Sequence, residues 1–460
     1  MEGQICVVTG YGQGHLNPCM ELCKHISSMH YHTTLLFPSI FASAIPSSFT
    51  QPPRTQTVQL TSSGRPMPGS DPLCQQSAQE LKTHLLNCFE NPDLPMPLCA
   101  IVDFQMGWTK ALFLKFNIPV ISLFTFGACA AAMEWGAWKL QAANIKSGEI
   151  RVIPGLPEEM ALTYSDLKRK SPETPRGGKG GPPKPGDRPP WVPEIEGSIA
   201  IMFNTCDDLD GPFIKYMADQ MGLPAWGVGP LLPEQYWNSS EPLLRDGEIR
   251  KQKRQSSSTE EDVIQWLDSK PRRSVLYVAF GSEVRPTTEE YSQLAGALEQ
   301  STRLFIWVIQ PGSEAHIPHG LDDRVSNRGL IIYGWAPQLL ILGHKSTGGF
   351  LSHCGWNSTM EAIGRGIPFL AWPIRGDQYL NAKLVVSHLK VGYRVTDDLS
   401  EMVKKDDMVK GIERLMGNEE MQKRAEMLSG KFKHGFPASS VCALEAFNDL
   451  LAKINSSTIK

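Results

Sequence analysis

"WAPQLLILGHKSTGGFLSHCGWNSTMEAIGRGIPFLAWPIRGDQ", residues 335–378, decides how the chain is read. "GGFLSH" (348–353) is a short apolar run and predicts a strand. "CGWNS" is a tight turn, "STMEAIGRG" (358–366) has helical spacing, and "PFLAWPI" (368–374) is a further strand. A strand that returns through a helix to a second strand implies a parallel sheet. The backbone N–H groups that open a helix have no partner within it and attract phosphate. His353, Asn357 and Ser358 surround that start and would hold a phosphate group. Ser358 and Glu361 also spell S-x-x-E, so a capping box is the structural alternative for Glu361.

The same alternation runs outward on both sides. Ahead of the stretch lie strand "SVLYVAFGS" (274–282), helix "TTEEYSQLAGALEQS" (287–301), and strands "LFIWVI" (304–309) and "GLIIYGW" (329–335). The first half offers strands at 5–10, 33–37, 97–104, 118–125, 197–205 and 224–231, with helices at 18–28 and 107–116. Asn17 before Pro18 reads as an N-cap followed by proline at the first helical position. The expected fold is α/β: two doubly wound, Rossmann-like parallel-sheet domains with a cleft between them. The boundaries are 1–240, a polar linker at 241–261, and 262–439, with a C-terminal helix at about 440–460 packing back on the first domain. Residues 171–193 hold eight prolines and five glycines, which predicts a long surface loop.

"VVTGYGQGHLNP" (7–18) poses a separate choice. A dinucleotide fingerprint G-x-G-x-x-G requires glycine at position 15, where His15 stands. It also requires an acid about 20 residues on, and the second strand ends "LLFPS". The glycines therefore present His15 at the carboxyl edge of the first strand. Asp103 closes the strand "LCAIV", at the same kind of edge. An Asp that accepts from one ring nitrogen fixes the tautomer and leaves the other as a base. No nucleophilic Ser or Cys stands beside the pair, so the base would act on a substrate hydroxyl. A strand-end turn residue is the plain alternative for Asp103.

Of the 460 residues, 41% are hydrophobic and 20% charged, with a net charge of −3. That balance supports a sizeable core and gives no reason to expect nucleic acid or a membrane as partner. "MEGQICVVTG" reads as a first strand, and no apolar run approaches the roughly 18 residues of a membrane helix. The ten cysteines are scattered, which fits a reducing, cytoplasmic location. The pairs Asp208/Asp210 and Asp322/Asp323 lie outside the central stretch, and no metal site is expected.

Trp335 to Gln378, with Trp first, "HCGWNS" in the middle and "DQ" last, resembles the 44-residue signature box of plant family 1 UDP-sugar glycosyltransferases. "GHLNP", Asp103, "FGS" (280–282) and the linker extend the resemblance over essentially the whole chain. It implies the GT-B architecture and an inverting, metal-independent transfer of glucose from UDP-glucose, with no cofactor and with the UDP-sugar and a small aromatic acceptor as partners. It implies that Trp335 stacks on uracil, with Ala336 and Gln338 nearby, and that Glu361 accepts both ribose hydroxyls. His353, Gly355, Asn357, Ser358 and Ser282 would serve the diphosphate. Trp356, Asp377, Gln378 and Thr125 would touch the sugar, a terminal Gln being the glucose pattern. His15 and Asp103 would be catalytic. Tyr11, Phe104, Phe124 and Trp191 are acceptor-pocket candidates, Trp191 as a cap; with Trp108, Phe126, Met133, Trp135 and Trp138, they could equally be core. Lys345 and Tyr11 stand where the family usually has proline. A monomer is expected. Carbon-linked glucosylation, a nicotinamide oxidoreductase and a silent binding protein are the alternatives.

Overall fold

Gln4–Val8 (β1) is buried along its whole length, as a strand covered on both faces must be. Ile5 and Val7 face one apolar cluster, Cys6 and Val8 another, following the period-two alternation of a strand. The computed structural model describes residues 3–51, 54–62, 72–169, 184–238, 246 and 255–458. They form two units, Met1–Ala132 with Pro189–Glu234 and Phe436–Lys460, and Met133–Arg188 with Gln235–Gly435.

The first unit is built on a seven-stranded parallel sheet. Its strands are β1, β2 (His32–Pro38), β3 (Thr55–Leu60), β4 (Pro97–Asp103), β5 (Val120–Phe124), β8 (Ala200–Phe203) and β9 (Ala225–Gly227). They run in the order β3-β2-β1-β4-β5-β8-β9. One face packs on Leu16, Cys19 and Cys23 of the helix Gln13–Ser28 and on Phe447 and Leu451 of the helix Ala438–Thr458. The other packs on Leu81, Leu85 and Phe113.

The second unit has a six-stranded parallel sheet made of β10 (Val275–Ala279), β11 (Leu304–Ile309), β12 (Gly329–Tyr333), β13 (Thr347–Ser352), β14 (Phe369–Ala371) and β15 (Gly392–Arg394). They run in the order β12-β11-β10-β13-β14-β15. Leu276 and Val278 pack under Tyr291, Leu294 and Leu298 of the helix Thr288–Gln300. An antiparallel pair, β6 (Ile150–Arg151) and β7 (Leu162–Thr163), also belongs to this unit. It is tied down by Asp166, which holds Lys383 at 2.7 Å and Arg394 at 2.6 Å. Residues 133–169 and 184–188, read from sequence as part of the first domain, thus group with the second unit. No helix among the described residues is long and apolar enough to cross a membrane.

Several expectations change. The first helix begins at Gln13, not Pro18, because Gly12 at φ 107° turns the chain sharply enough to start it there. Pro18 lies inside it, and His15 sits in its first turn. The expected helix 107–116 splits into a 3₁₀ turn, Phe104–Thr109, and a short helix, Lys110–Lys115, kinked at Met106. Of the Pro/Gly-rich segment, residues 171–183 lie outside the described residues, as does most of the expected linker 241–261.

Candidate active site

β1 and β4 are neighbours at the point where the strand order of the first sheet reverses, the place where doubly wound sheets bind ligands. His15 follows β1 and Asp103 ends β4. The structure brings them together: His15 Nδ1 lies 2.6 Å from Asp103 Oδ2. Asp103 is fully buried and the His15 side chain is 17% exposed. The second carboxylate oxygen of Asp103 accepts the Gln105 N–H at 2.9 Å, so the aspartate also caps the 3₁₀ turn that follows it. A carboxylate only accepts, so His15 Nδ1 carries the proton and Nε2 keeps its lone pair. Thr125 Oγ1 lies 2.8 Å from the same Nδ1.

Sequence reasoning misses one member of this group. Gln105 Nε2 lies 2.9 Å from His15 Nε2, while Gln105 Oε1 accepts the Tyr11 N–H at 3.2 Å. Nothing in "IVDFQMGW" marks a glutamine two residues past a strand end as functional.

In the second unit the order reverses between β10 and β13. β13 runs into His353, Cys354 and Gly355, and the helix Trp356–Gly364 starts with Gly355 as its N-cap. Asn357 and Ser358 therefore lie in its first turn, with their N–H groups among those that a helix leaves for a ligand. Cys354 takes φ 59°, its N–H held by Ser352 Oγ at 3.0 Å and its carbonyl by Asn381 Nδ2 at 3.0 Å. His353 is 7% exposed. A Cβ on Gly281 would come within 2.7 Å of its Nε2, and one on Gly355 would collide with the same atom. Two bare backbone segments thus close on this ring, with exposed Ser282 next to Gly281. Burial pushes the His353 imidazole down to about 4, so it is neutral at neutral pH.

Glu361 is buried and not a cap; it lies within the helix. Gln338 Nε2 donates to Glu361 Oε2 at 2.7 Å and to Ser358 Oγ at 2.9 Å, and Gln338 Oε1 accepts from the Tyr277 hydroxyl at 3.3 Å. Gln338 thus orients Ser358 and Glu361. Trp335 is half-buried, its N–H bonded to the Gln255 carbonyl, and Ala336 is buried beside it. Trp356 is 4% exposed. Gln378 Oε1 accepts from Ile374 N–H at 3.0 Å and Arg375 N–H at 2.8 Å, which leaves its NH₂ as the donating end. Asp377 Oδ2 accepts from Asn381 at 2.8 Å.

Among the acceptor-pocket candidates, Tyr11 and Phe104 are half-buried, with the Phe104 ring 6.2 Å from that of His15. Phe124 and Trp191 are corrected to core. Phe124 has no exposed surface and Trp191 is 2% exposed, packed edge-on against it at 5.4 Å. A ring with so little exposed surface packs into the core rather than lying over a ligand as a cap. Asp208 and Asp210 lie on the helix Asp207–Met221, and Asp322 accepts from the Tyr333 hydroxyl at 2.9 Å.

Comparison with known proteins agrees with this layout. The family described as UDP-glucoronosyl and UDP-glucosyl transferase matches residues 236–439. Scopoletin glucosyltransferase of Nicotiana tabacum is 35% identical over 338 residues, 70% of this chain and 67% of that protein. UDP-glycosyltransferase 89A2 of Arabidopsis thaliana is 30% identical over 447 residues, 91% of this chain and 89% of that one. Phytolacca americana UGT2, solved with UDP-2fluoro-glucose and pterostilbene, superposes with a TM-score of 0.74 at 26% identity, covering 98% of this chain and 99% of that one. The two parallel-sheet units are those of a GT-B enzyme, and the chain belongs to the plant family 1 UDP-glycosyltransferases.

Proposed function

We propose that this glycosyltransferase is inverting and moves glucose from UDP-glucose to a hydroxyl of a small aromatic, phenolic or flavonoid-like acceptor, giving a β-glucoside. The observation that carries this reading is the 2.6 Å contact between His15 Nδ1 and Asp103. With Nδ1–H given to the aspartate, His15 Nε2 takes the proton of the acceptor hydroxyl. The acceptor oxygen forms the new bond to the anomeric carbon as the bond from that carbon to the diphosphate oxygen breaks. UDP leaves with that electron pair, and Asp103 stabilises the imidazolium until its proton is lost to solvent.

On the donor side, His353 and the N–H groups that open the helix Trp356–Gly364 take the diphosphate charge, so no metal ion is needed. Glu361, oriented by Gln338, takes the ribose hydroxyls, and Trp335 stacks on uracil. Trp356, Asp377 and the donating amide of Gln378 hold the sugar. A relative named as a glucosyltransferase supports glucose as the sugar. The enzyme acts as a cytoplasmic monomer in this reading; the free cysteines among the described residues fit a reducing compartment.

Incubation of the protein with UDP-glucose and a panel of phenols, followed by mass spectrometry, tests the proposal. A hexose mass increase released by β-glucosidase is expected. An acid-resistant hexose adduct would move the bond to carbon, and absence of any adduct across the panel would end the phenolic reading.

A further inference from the structure

Gln105 grips both members of the dyad at once. Its backbone N–H donates to Asp103 Oδ1 at 2.9 Å, and its side-chain amide reaches His15 Nε2 at 2.9 Å. The direction of the second contact is fixed by the far end of the same side chain. Tyr11 N–H can only donate, so the oxygen of Gln105 faces it and the NH₂ faces the ring. On the other side of the imidazole Asp103 can only accept, so the proton is on Nδ1. An amide N–H thus meets a bare lone pair, and the lone pair is the one the base must use.

We infer that Gln105 is a displaceable cap on the base: it occupies His15 Nε2 in the resting enzyme and gives way when an acceptor hydroxyl donates to the same atom. The inference rests on the reading of His15 as base. A lone pair directed at one donor accepts one strong hydrogen bond, so amide and acceptor compete for it. The cap also keeps water off the base while only donor is bound. Gln105 is half-buried and anchored at Tyr11 through a neutral bond, so its amide can leave the ring without uncovering a charge. Gln105 is a positioning residue; the proton goes to His15.

Two variants test this. Gln105→Met keeps the length and removes the donor. The acceptor KM should fall about fivefold, the order of one net neutral hydrogen bond no longer competing, with the UDP-glucose KM unchanged. Gln105→Glu puts a second carboxylate at the ring. It favours the imidazolium, so the acid limb of the kcat/KM profile should move to higher pH. An acceptor KM that stays the same or rises in Gln105→Met, or an acid limb that stays in place in Gln105→Glu, overturns the cap. The base reading fails on a different measurement, retained turnover in His15→Ala, so the two failures are separable.

Discussion

Each sheet carries a histidine just past a strand that borders its reversal point, and the two histidines are set up in opposite ways. His15 follows β1 and meets a buried carboxylate at 2.6 Å. His353 follows β13 and meets the backbones of Gly281 and Gly355, in surroundings that push its ring down to about 4. One is paired with the charge that an imidazolium needs; the other is kept neutral. Topology delivers a side chain to the edge of a sheet, and the groups arriving from the neighbouring strand decide whether it can take a proton.

His15→Ala should show the largest effect: transfer to phenols falls by roughly 10²–10⁴-fold, the usual contribution of a general base. UDP affinity, measured calorimetrically, should stay as it was, because His15 belongs to the other unit. If the variant kept more than about a tenth of wild-type turnover, the contrast between the two histidines would lose its catalytic half.

Gln378→His sharpens the donor half. The amide whose oxygen bridges the Ile374 and Arg375 N–H groups, with its NH₂ left as the donating end, would be lost. A wrong epimer leaves buried polar groups unpaired, so the preference for UDP-glucose over UDP-galactose should shrink by about tenfold. An unchanged ratio in a donor competition assay would show that Gln378 does not read the sugar.

The neutral state of His353 has a thermodynamic signature. Its pKa lies near 4 in the fold and near the ordinary 6.5 in the unfolded chain. Between those values the unfolded chain binds a proton that the fold refuses, so this stability is complete above about pH 6.5 and drains as pH falls toward 4. Urea midpoints of His353→Gln should fall less steeply than wild type from pH 7 to pH 5. Parallel slopes would contradict the assignment.

The smallest expected effect is none. With His353 and helix N–H groups serving the diphosphate, EDTA should leave turnover unchanged; loss restored by Mg²⁺ or Mn²⁺ would mean that the leaving group is stabilised otherwise.

The legible parts of the chain are those where residue type and position coincide. Apolar runs such as "LFIWVI" announce a buried parallel strand, and β11 has those bounds. His15 and Asp103 can be paired on paper because both lie at the carboxyl edge of the sheet, Asp103 closing β4 and His15 following β1. β3 escapes because "TQTVQL" carries two glutamines and four exposed or half-exposed positions at the sheet edge. The start of the first helix is misread because Asn17–Pro18 imitates a cap, while the positive φ of Gly12 leaves no mark on composition. Trp191 is misread because it follows a Pro/Gly-rich run, although its ring belongs to the core. Gln105 is invisible because its importance lies wholly in the partners that the fold brings to it.

The helix Ala438–Thr458 has a consequence for synthesis. Phe447 and Leu451 complete the apolar face formed by Ile5, Val7 and Ile101, yet they are translated only after residues 235–435 of the other unit. On the ribosome, the strands of the first unit must wait with that face open while an entire second fold emerges. The interval is one in which a nascent chain exposes hydrophobic surface and invites chaperones or misassembly. The order of translation and the order in which the cores close are therefore different in this enzyme.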